Sequence, residues 1–301
     1  MLLADYLQQW METYKAGTVR VVTYKKYRRT LELVNELLPR ATMNDDGLNR
    51  FTYQWFINTL GERYCHATIT DIHRCLHACL KDALYDKMLT RDPAYGVRLG
   101  GLPAPERVKY LQPDELARLI ADLDLSMAVD MGIYVAAKTG LRFAELLGLT
   151  RADFNPEAGT ITVNKTLDYK RFESDGTRFT PTKNTSSVRT IRLDSATADL
   201  MREWVRTAPD DVPLFAWGGN FNETWNSRLR WHCRNACVPE VTMHVLRHTH
   251  GSVLIANGMS IQSVSRRLGH ANTITTQRVY LHLLRNLEAK DNQLLEAAMA
   301  A

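Results

Sequence analysis

The sequence lacks any apolar run long enough to span a bilayer, and Met1-Leu2-Leu3-Ala4 leads straight into Asp5 instead of a signal-peptide core. A membrane or exported protein is not expected, and the location read from the chain is the cytoplasm. Cysteine is scarce: the five present form an odd set with no framework spacing, which excludes a disulfide scaffold and points to free thiols in a reducing compartment. A zinc site is the remaining use for Cys75 and Cys79, which lie near His73 and His77. On a helix, however, the two pairs are offset by two residues, about 200°, and point to opposite sides, so no metal is expected there. Charge of one sign is also nearly lacking, with 38 basic against 33 acidic residues and a net charge of +5. Any nucleic-acid surface must therefore come from the distribution of charge and not from its total.

What is present is an ordinary globular composition, 45% hydrophobic and 24% charged, over 301 residues, a length that predicts two domains. Leu3, Tyr6, Leu7 and Trp10 share one face of a helix over Leu2 to Tyr14. Further amphipathic helices are expected over Thr23 to Leu38, Thr52 to Leu60 and Thr68 to Lys87, giving a small all-helical domain over 1–98. Lys15, Arg20, Lys25, Lys26, Arg28 and Arg29 fall in a segment without an acid and are interleaved with Tyr24 and Tyr27. Such a segment is either a solvated helix face or a phosphate-tracking patch, and the aromatics favour the patch. Helical patterning stops at Asp92-Pro93. Gly100-Gly101, Pro103 and Pro105 then give 99–110 the composition of a linker.

Beyond it, Pro113, Asp114 and Glu115 open a helix with proline and acids in the first turn. In Thr139-Gly140-Leu141-Arg142-Phe143-Ala144-Glu145-Leu146-Leu147-Gly148-Leu149, Arg142 and Glu145 stand three apart, as on one helical face. They form either a surface ion pair or an acid that orients an arginine for bidentate phosphate binding. From Gly159 to Leu193 the pattern turns to strands, with Thr160 to Val163 alternating and Val188, Thr190 and Ile191 as β-formers. Lys183 sits at the lip of the polar turn between them, and Lys165 is its weaker competitor for a site role. A helix over Thr224 to Asn235 carries Arg228, Arg230 and Arg234, which could support backbone contacts.

The last sixty residues organise the chain. Met243 to Asn257 reads as a helix on which His244 and Arg247 project from one face, so that an imidazole and a guanidinium can reach the same anion. Asn257-Gly258 is a stop and Ser260 a cap for a second helix with Ile261, Val264 and Leu268 at helical spacing. Gly269 ends that helix and His270 follows. Asn272 or Thr273 then opens a short helix that carries Tyr280 between apolar Val279 and Leu281. Singly, each of these residues reads as packing.

Together, His244-x-x-Arg247, Leu268-Gly269-His270 and Tyr280 ten residues later resemble the carboxy-terminal signature of the tyrosine recombinases, the phage-integrase family. The Thr139 to Leu149 segment matches that family's first-arginine motif, and the likeness covers nearly the whole chain. It implies a mainly α fold with a small antiparallel sheet: a helical (SAM-like) core-DNA-binding domain over 1–98, and a mixed α+β catalytic domain over 111–284. It further implies a tail over 285–301 that either packs on its own domain or docks in trans. By resemblance, Tyr280 is the nucleophile that forms a 3′-phosphotyrosyl link, and Arg142 and Arg247 clamp the nonbridging oxygens. Glu145 supports Arg142, His244 and His270 bind the phosphate or move protons, and Lys183 protonates the leaving 5′-hydroxyl.

The resemblance also implies double-stranded core-site DNA as the partner, contacted by Arg20, Lys25, Lys26, Arg28, Arg29, Arg228 and Arg230. A homotetramer on DNA, an accessory directionality factor, no cofactor and a bacterial, nucleoid-associated setting go with it. An arm-binding module in front of the core-binding domain is not expected in this chain. Two other readings stay open. A type IB topoisomerase-like enzyme would use the same chemistry to relax DNA, and a non-catalytic DNA-binding descendant would keep only the fold.

Overall fold

The computed structural model describes residues 1–104, 108–169, 179–182, 185–210, 212–215, 221–274, 276–277 and 280. The chain divides into two compact units, Met1–Glu106 and Arg107–Ala301, with the division inside the glycine- and proline-rich stretch. It is mainly helical, with small antiparallel sheets.

The first unit is built from α1 (Leu3–Tyr14), α2 (Val21–Leu37), α3 (Arg50–Gly61) and α4 (His66–Tyr85). Its core forms because each helix offers apolar residues on one stripe: Leu3, Leu7, Trp10 and Met11 from α1 meet Leu33 and Val34 from α2 and Ile69, Leu76 and Leu80 from α4. The Trp10 indole keeps its polar end satisfied by donating Nε1–H to Asp82 of α4 at 2.7 Å. Helix α3 starts two residues before the expected Thr52 because the Asn49 side chain accepts from the Phe51 and Thr52 amides at 3.0 and 3.1 Å. Part of the expected linker is packed structure. Leu102 bridges Cys65 and donates its N–H to Tyr64 O at 2.9 Å.

The second unit contains α5 (Pro113–Ala121), α6 (Ala128–Thr139), α7 (Phe143–Leu147), α8 (Ser195–Arg206), α9 (Phe221–Asn235), α10 (Met243–Ala256) and α11 (Ile261–Leu268). Helix α6 is buried almost all round, through Met131, Ile133, Tyr134, Val135, Ala136 and Ala137, and serves as the central rod of this domain. Strands β1 (Phe154–Asn155), β2 (Thr160–Val163) and β5 (Arg189–Arg192) form an antiparallel sheet in the order β1-β2-β5, with Ile161 opposite Ile191. A separate pair, β3 (Lys165–Leu167) with β4 (Phe179–Pro181), places Thr166 opposite Thr180. Ser260 caps α11 by accepting from the Ser263 amide at 3.3 Å, as its position suggested.

Candidate active site

Two helix ends frame the site. α6 stops at Gly140 (φ 68°) and α11 at Gly269 (φ 66°), both in the left-handed conformation that glycine adopts without a Cβ penalty. A helix C-terminus leaves carbonyls without an internal donor and carries partial negative charge, so it welcomes a cation. Arg247, buried on α10, donates Nη1 to Gly140 O at 2.7 Å and Nη2 to Leu268 O at 2.5 Å. Arg142 donates Nη2 to Gly269 O at 2.8 Å. The Leu268-Gly269 turn therefore holds both arginines, and His270 follows it directly.

Arg142 does not share a helical face with Glu145, as the spacing suggested. It is the extended N-cap of α7 (φ −67°, ψ 148°), with Glu145 at the third helical position. The Glu145 carboxylate accepts the Arg142 backbone N–H at 3.0 Å and its Nη1 at 2.6 Å, so one acid holds both the backbone and the head of the arginine. Glu145 is 1% exposed, and its Oε2, which takes the Arg142 amide, also accepts Nη2 of Arg189 at 2.9 Å. Burial alone would raise this carboxyl. The hydrogen bond and charge of Arg189, and then Arg142, hold it below its ordinary value of 4.5.

Two guanidiniums thus grip one carboxylate, and among the described residues no acid bonds to the third, Arg247. Burial, then the charge of Arg142, pushes Arg247 down to about 9, which leaves it cationic at neutral pH. A site with more fixed cations than acids suits an anion with two nonbridging oxygens.

The histidines near it are held neutral. Burial, followed by Arg247 and Arg142, lowers His244 and brings His270 to about 4. Burial, then His244, brings His248 to about 4. The His244 and His248 rings meet edge to face at 4.6 Å, and His270 Nδ1 lies 2.7 Å from the Thr276 hydroxyl. Neutral imidazoles can accept or donate, as proton handling requires. Tyr280 is 1% exposed, and its ring lies 6.4 Å from that of His248. Its hydroxyl finds no hydrogen-bond partner among the described residues. It faces Gly251 so closely that a Cβ there would sit 2.1 Å from the oxygen. Burial pushes the phenol up to about 12, opposed by Arg247.

Other expected residues are placed variously. Lys183 and the 285–301 tail lie outside the described residues. Lys165 is engaged elsewhere, ion-paired with buried Asp153 and bonded to the Thr150 hydroxyl at 3.2 Å. In the basic patch, Arg20, Lys25, Lys26, Arg28 and Arg29 are all exposed, and Lys26 pairs with Asp71 at 2.6 Å and Arg29 with Glu32 at 3.0 Å. On α9, Arg228 grips Asp130 with Nε and Nη2, both at 2.8 Å, and Arg230 donates to the Ser227 hydroxyl at 3.2 Å. Arg189 and Gly251 are not among the residues that the sequence singles out. Arg189 carried a signal, because it shares a strand face with Ile191, which is buried. Gly251, an interior helix residue, carried none.

The phage integrase family model matches residues 109–286. The ICEBs1 integrase of Bacillus subtilis (strain 168) is 22% identical over 271 residues, covering 79% of this chain and 72% of that protein. The integrase of Staphylococcus phage L54a is 28% identical over 179 residues, 54% of this chain and half (50%) of that protein. Tyrosine recombinase XerD of Pseudomonas aeruginosa is 24% identical over 294 residues, with 92% and 90% covered. Among solved structures, the Tn1549 transposon integrase in complex with transposon right end DNA superposes with a TM-score of 0.78 at 20% identity, covering 93% of this chain and 95% of that one. Lambda integrase (residues 75–356) bound to DNA gives 0.65 at 15% identity, covering 90% and 92%. These structural likenesses show the fold. The chain belongs to the phage integrase family. It is therefore a tyrosine recombinase, an enzyme that breaks and rejoins DNA.

Proposed function

We propose that this chain integrates and excises a mobile element, with Tyr280 as the nucleophile. The Tyr280 oxygen attacks the scissile phosphorus and a P–O bond forms while the bond to the 5′-oxygen breaks. The phenol loses its proton and the leaving 5′-hydroxyl gains one. The link to phosphorus is preserved as a 3′-phosphotyrosyl ester, which a 5′-hydroxyl of the partner duplex reverses without an external energy source. The surplus of guanidinium over carboxylate beside the Leu268-Gly269 turn carries this reading. Arg142 and Arg247 clamp the nonbridging oxygens, Glu145 aims Arg142, and His244 and His270 handle protons or bond the phosphate. Lys183 supplies the proton to the 5′-oxygen.

With Tyr280 buried and raised toward 12, its hydroxyl has to leave the Gly251 contact before it can attack. Exchange between two duplexes requires four active sites, so the working species is a homotetramer on core-site DNA in the bacterial cytoplasm, its direction set by an accessory protein. Arg20, Lys25, Lys26, Arg28, Arg29, Arg228 and Arg230 belong to its DNA-facing surface in this reading, and binding weakens with salt as phosphate counterions are released. No metal step is needed, so cleavage should persist in chelator; strict magnesium dependence of single-turnover cleavage would contradict the scheme.

The direct test traps covalent adducts from a library of sheared host and element DNA with detergent, and sequences them for the wild type and Tyr280→Phe. Adducts piled at one inverted-repeat site in the wild type alone support the recombinase. Adducts without sequence preference would indicate a relaxing enzyme, and none at all a silent binding module.

A further inference from the structure

Arg189 has no role of its own in the reaction scheme, yet it bonds Glu145, the acid that aims Arg142. Its side chain is 7% exposed, and all three of its nitrogens are engaged. Nη2 donates to Glu145 Oε2 at 2.9 Å, Nη1 to Ser187 O at 2.9 Å and Nε to Arg267 O at 2.6 Å. Each acceptor belongs to an element that carries site chemistry. Glu145 holds Arg142. Ser187 ends the short helical turn Thr185–Ser187, and its hydroxyl accepts Nη1 of Arg142 at 3.3 Å. Arg267 lies on α11, two residues before Gly269.

The guanidinium also occupies the space a side chain at Gly269 would need, with Nη1 2.9 Å from the position of an added Cβ. Arg267 in turn is anchored, donating to His250 Nε2 and to Arg192 O, each at 2.9 Å. Three structural pieces, the α7 cap, the Ser187 turn and the α11 end, therefore meet on one planar cation with fixed donor directions.

We infer that Arg189 is a positioning residue of the recombination reaction, acting on Arg142 through Glu145, the Ser187 turn and the α11 end. This rests on the phosphotyrosyl reading above. Removing Arg189 leaves Glu145 with Arg142 as its one guanidinium partner and frees the carboxylate to pull that cation inward. The loss falls on the stabilisation of charge at the nonbridging oxygens and not on duplex affinity.

The test is single-turnover adduct formation by the full chain on a duplex carrying its core site, using wild type, Arg189→Met, Arg189→Lys and Arg142→Lys. A second duplex carries an uncharged methylphosphonate at the scissile position. On the phosphodiester, Arg189→Met should form adduct about 10- to 100-fold more slowly, with duplex binding within about 2-fold of wild type. Arg189→Lys, which keeps the charge but not the fork, should fall between. On the methylphosphonate the developing charge is smaller and the arginine clamp matters less, so the deficits of Arg142→Lys and Arg189→Met should shrink together.

A merely structural role predicts equal losses on both duplexes, and that result would overturn the assignment, as would an undiminished rate on the phosphodiester. If Arg189→Met does not fold, the comparison stands on Arg189→Lys, with the same two outcomes. No adduct from the wild type would sink the phosphotyrosyl reading itself. A normal wild-type adduct with unimpaired Arg189 variants would sink only the positioning role.

Discussion

Asp130 and Glu145 are two fully buried carboxylates of the same domain, each gripped by arginine, and they differ in what surrounds the grip. Asp130 accepts Arg228 bidentately and lies 2.8 Å from His232 Nε2, whose Nδ1 meets Asp122 at 2.7 Å. Two acids there meet one guanidinium and one imidazole, and the set joins α9 to α6 as a self-contained tie. Burial would raise Asp130, yet the bond from Arg228, the Asp124 amide and His232 keep it below its ordinary 3.8. Around Glu145 the cations outnumber the acid. Counting buried ion pairs would rank the two alike; the unmatched charge is what separates a tie from a place for a substrate.

The sharpest way to break this comparison is at the arginines. Arg142→Lys and Arg247→Lys should each lower single-turnover cleavage by about 10²- to 10³-fold while duplex binding persists, because a point charge cannot reproduce the fork. Near-normal rates in either would remove the clamp. Asp130→Ala should do the opposite, destabilising the domain by about 3–5 kcal/mol in denaturant titration while folded enzyme cleaves normally. A catalytic defect without a stability loss would show that the Asp130 set is no mere tie.

Acid should act next. Burial, then Arg267, pushes His250 down to about 3, and burial brings His248 and His270 to about 4, all from 6.5. The unfolded chain therefore binds the extra protons. The stability these rings contribute is complete above about 6.5 and is lost as pH falls toward 4 and then 3, most of it from the deeply buried His250. Thermal unfolding across pH 7 to 4 checks the sign; a flat profile would contradict the neutral rings.

Gly251→Ala places a methyl against the Tyr280 oxygen, so the phenol should be displaced and its titration, read by ultraviolet difference spectra, should drop from about 12 toward 10. An unchanged titration would mean the ring does not need that gap. The smallest effect is expected in the other unit. Asp71→Ala removes the exposed partner of Lys26 and should change stability by less than about 1 kcal/mol while slightly tightening duplex binding. Weaker binding would argue against Lys26 facing DNA.

Much of this was legible because it is local. The cap at Ser260 and the stop at Gly269 are fixed within a turn or two, as is the Arg142/Glu145 pairing though not its cap geometry, and helix-forming stretches of the first unit announce themselves by period. What failed to show has a common cause. Helix α6 is apolar on nearly every side, so its pattern lacks the amphipathic contrast that marks a helix. Arg228 reads as one more basic residue until Asp130, 98 positions away, arrives beside it. Arg189 reads as a polar strand residue until Glu145, Ser187 and Arg267 converge on it.

The sequence alone determined the helix that bears His244 and Arg247, the family these residues signal with Tyr280, and the glycine that ends α11, since backbone hydrogen bonding and side-chain periodicity act over a few residues. Only the tertiary structure decided which carbonyl each arginine holds, across 107 residues for Arg247 and Gly140 and 127 for Arg142 and Gly269. It also decided that Tyr280 rests buried against Gly251 and that Arg189 backs the site. Those choices follow from packing a surplus of cations against the ends of helices, and no single stretch of chain carries that geometry.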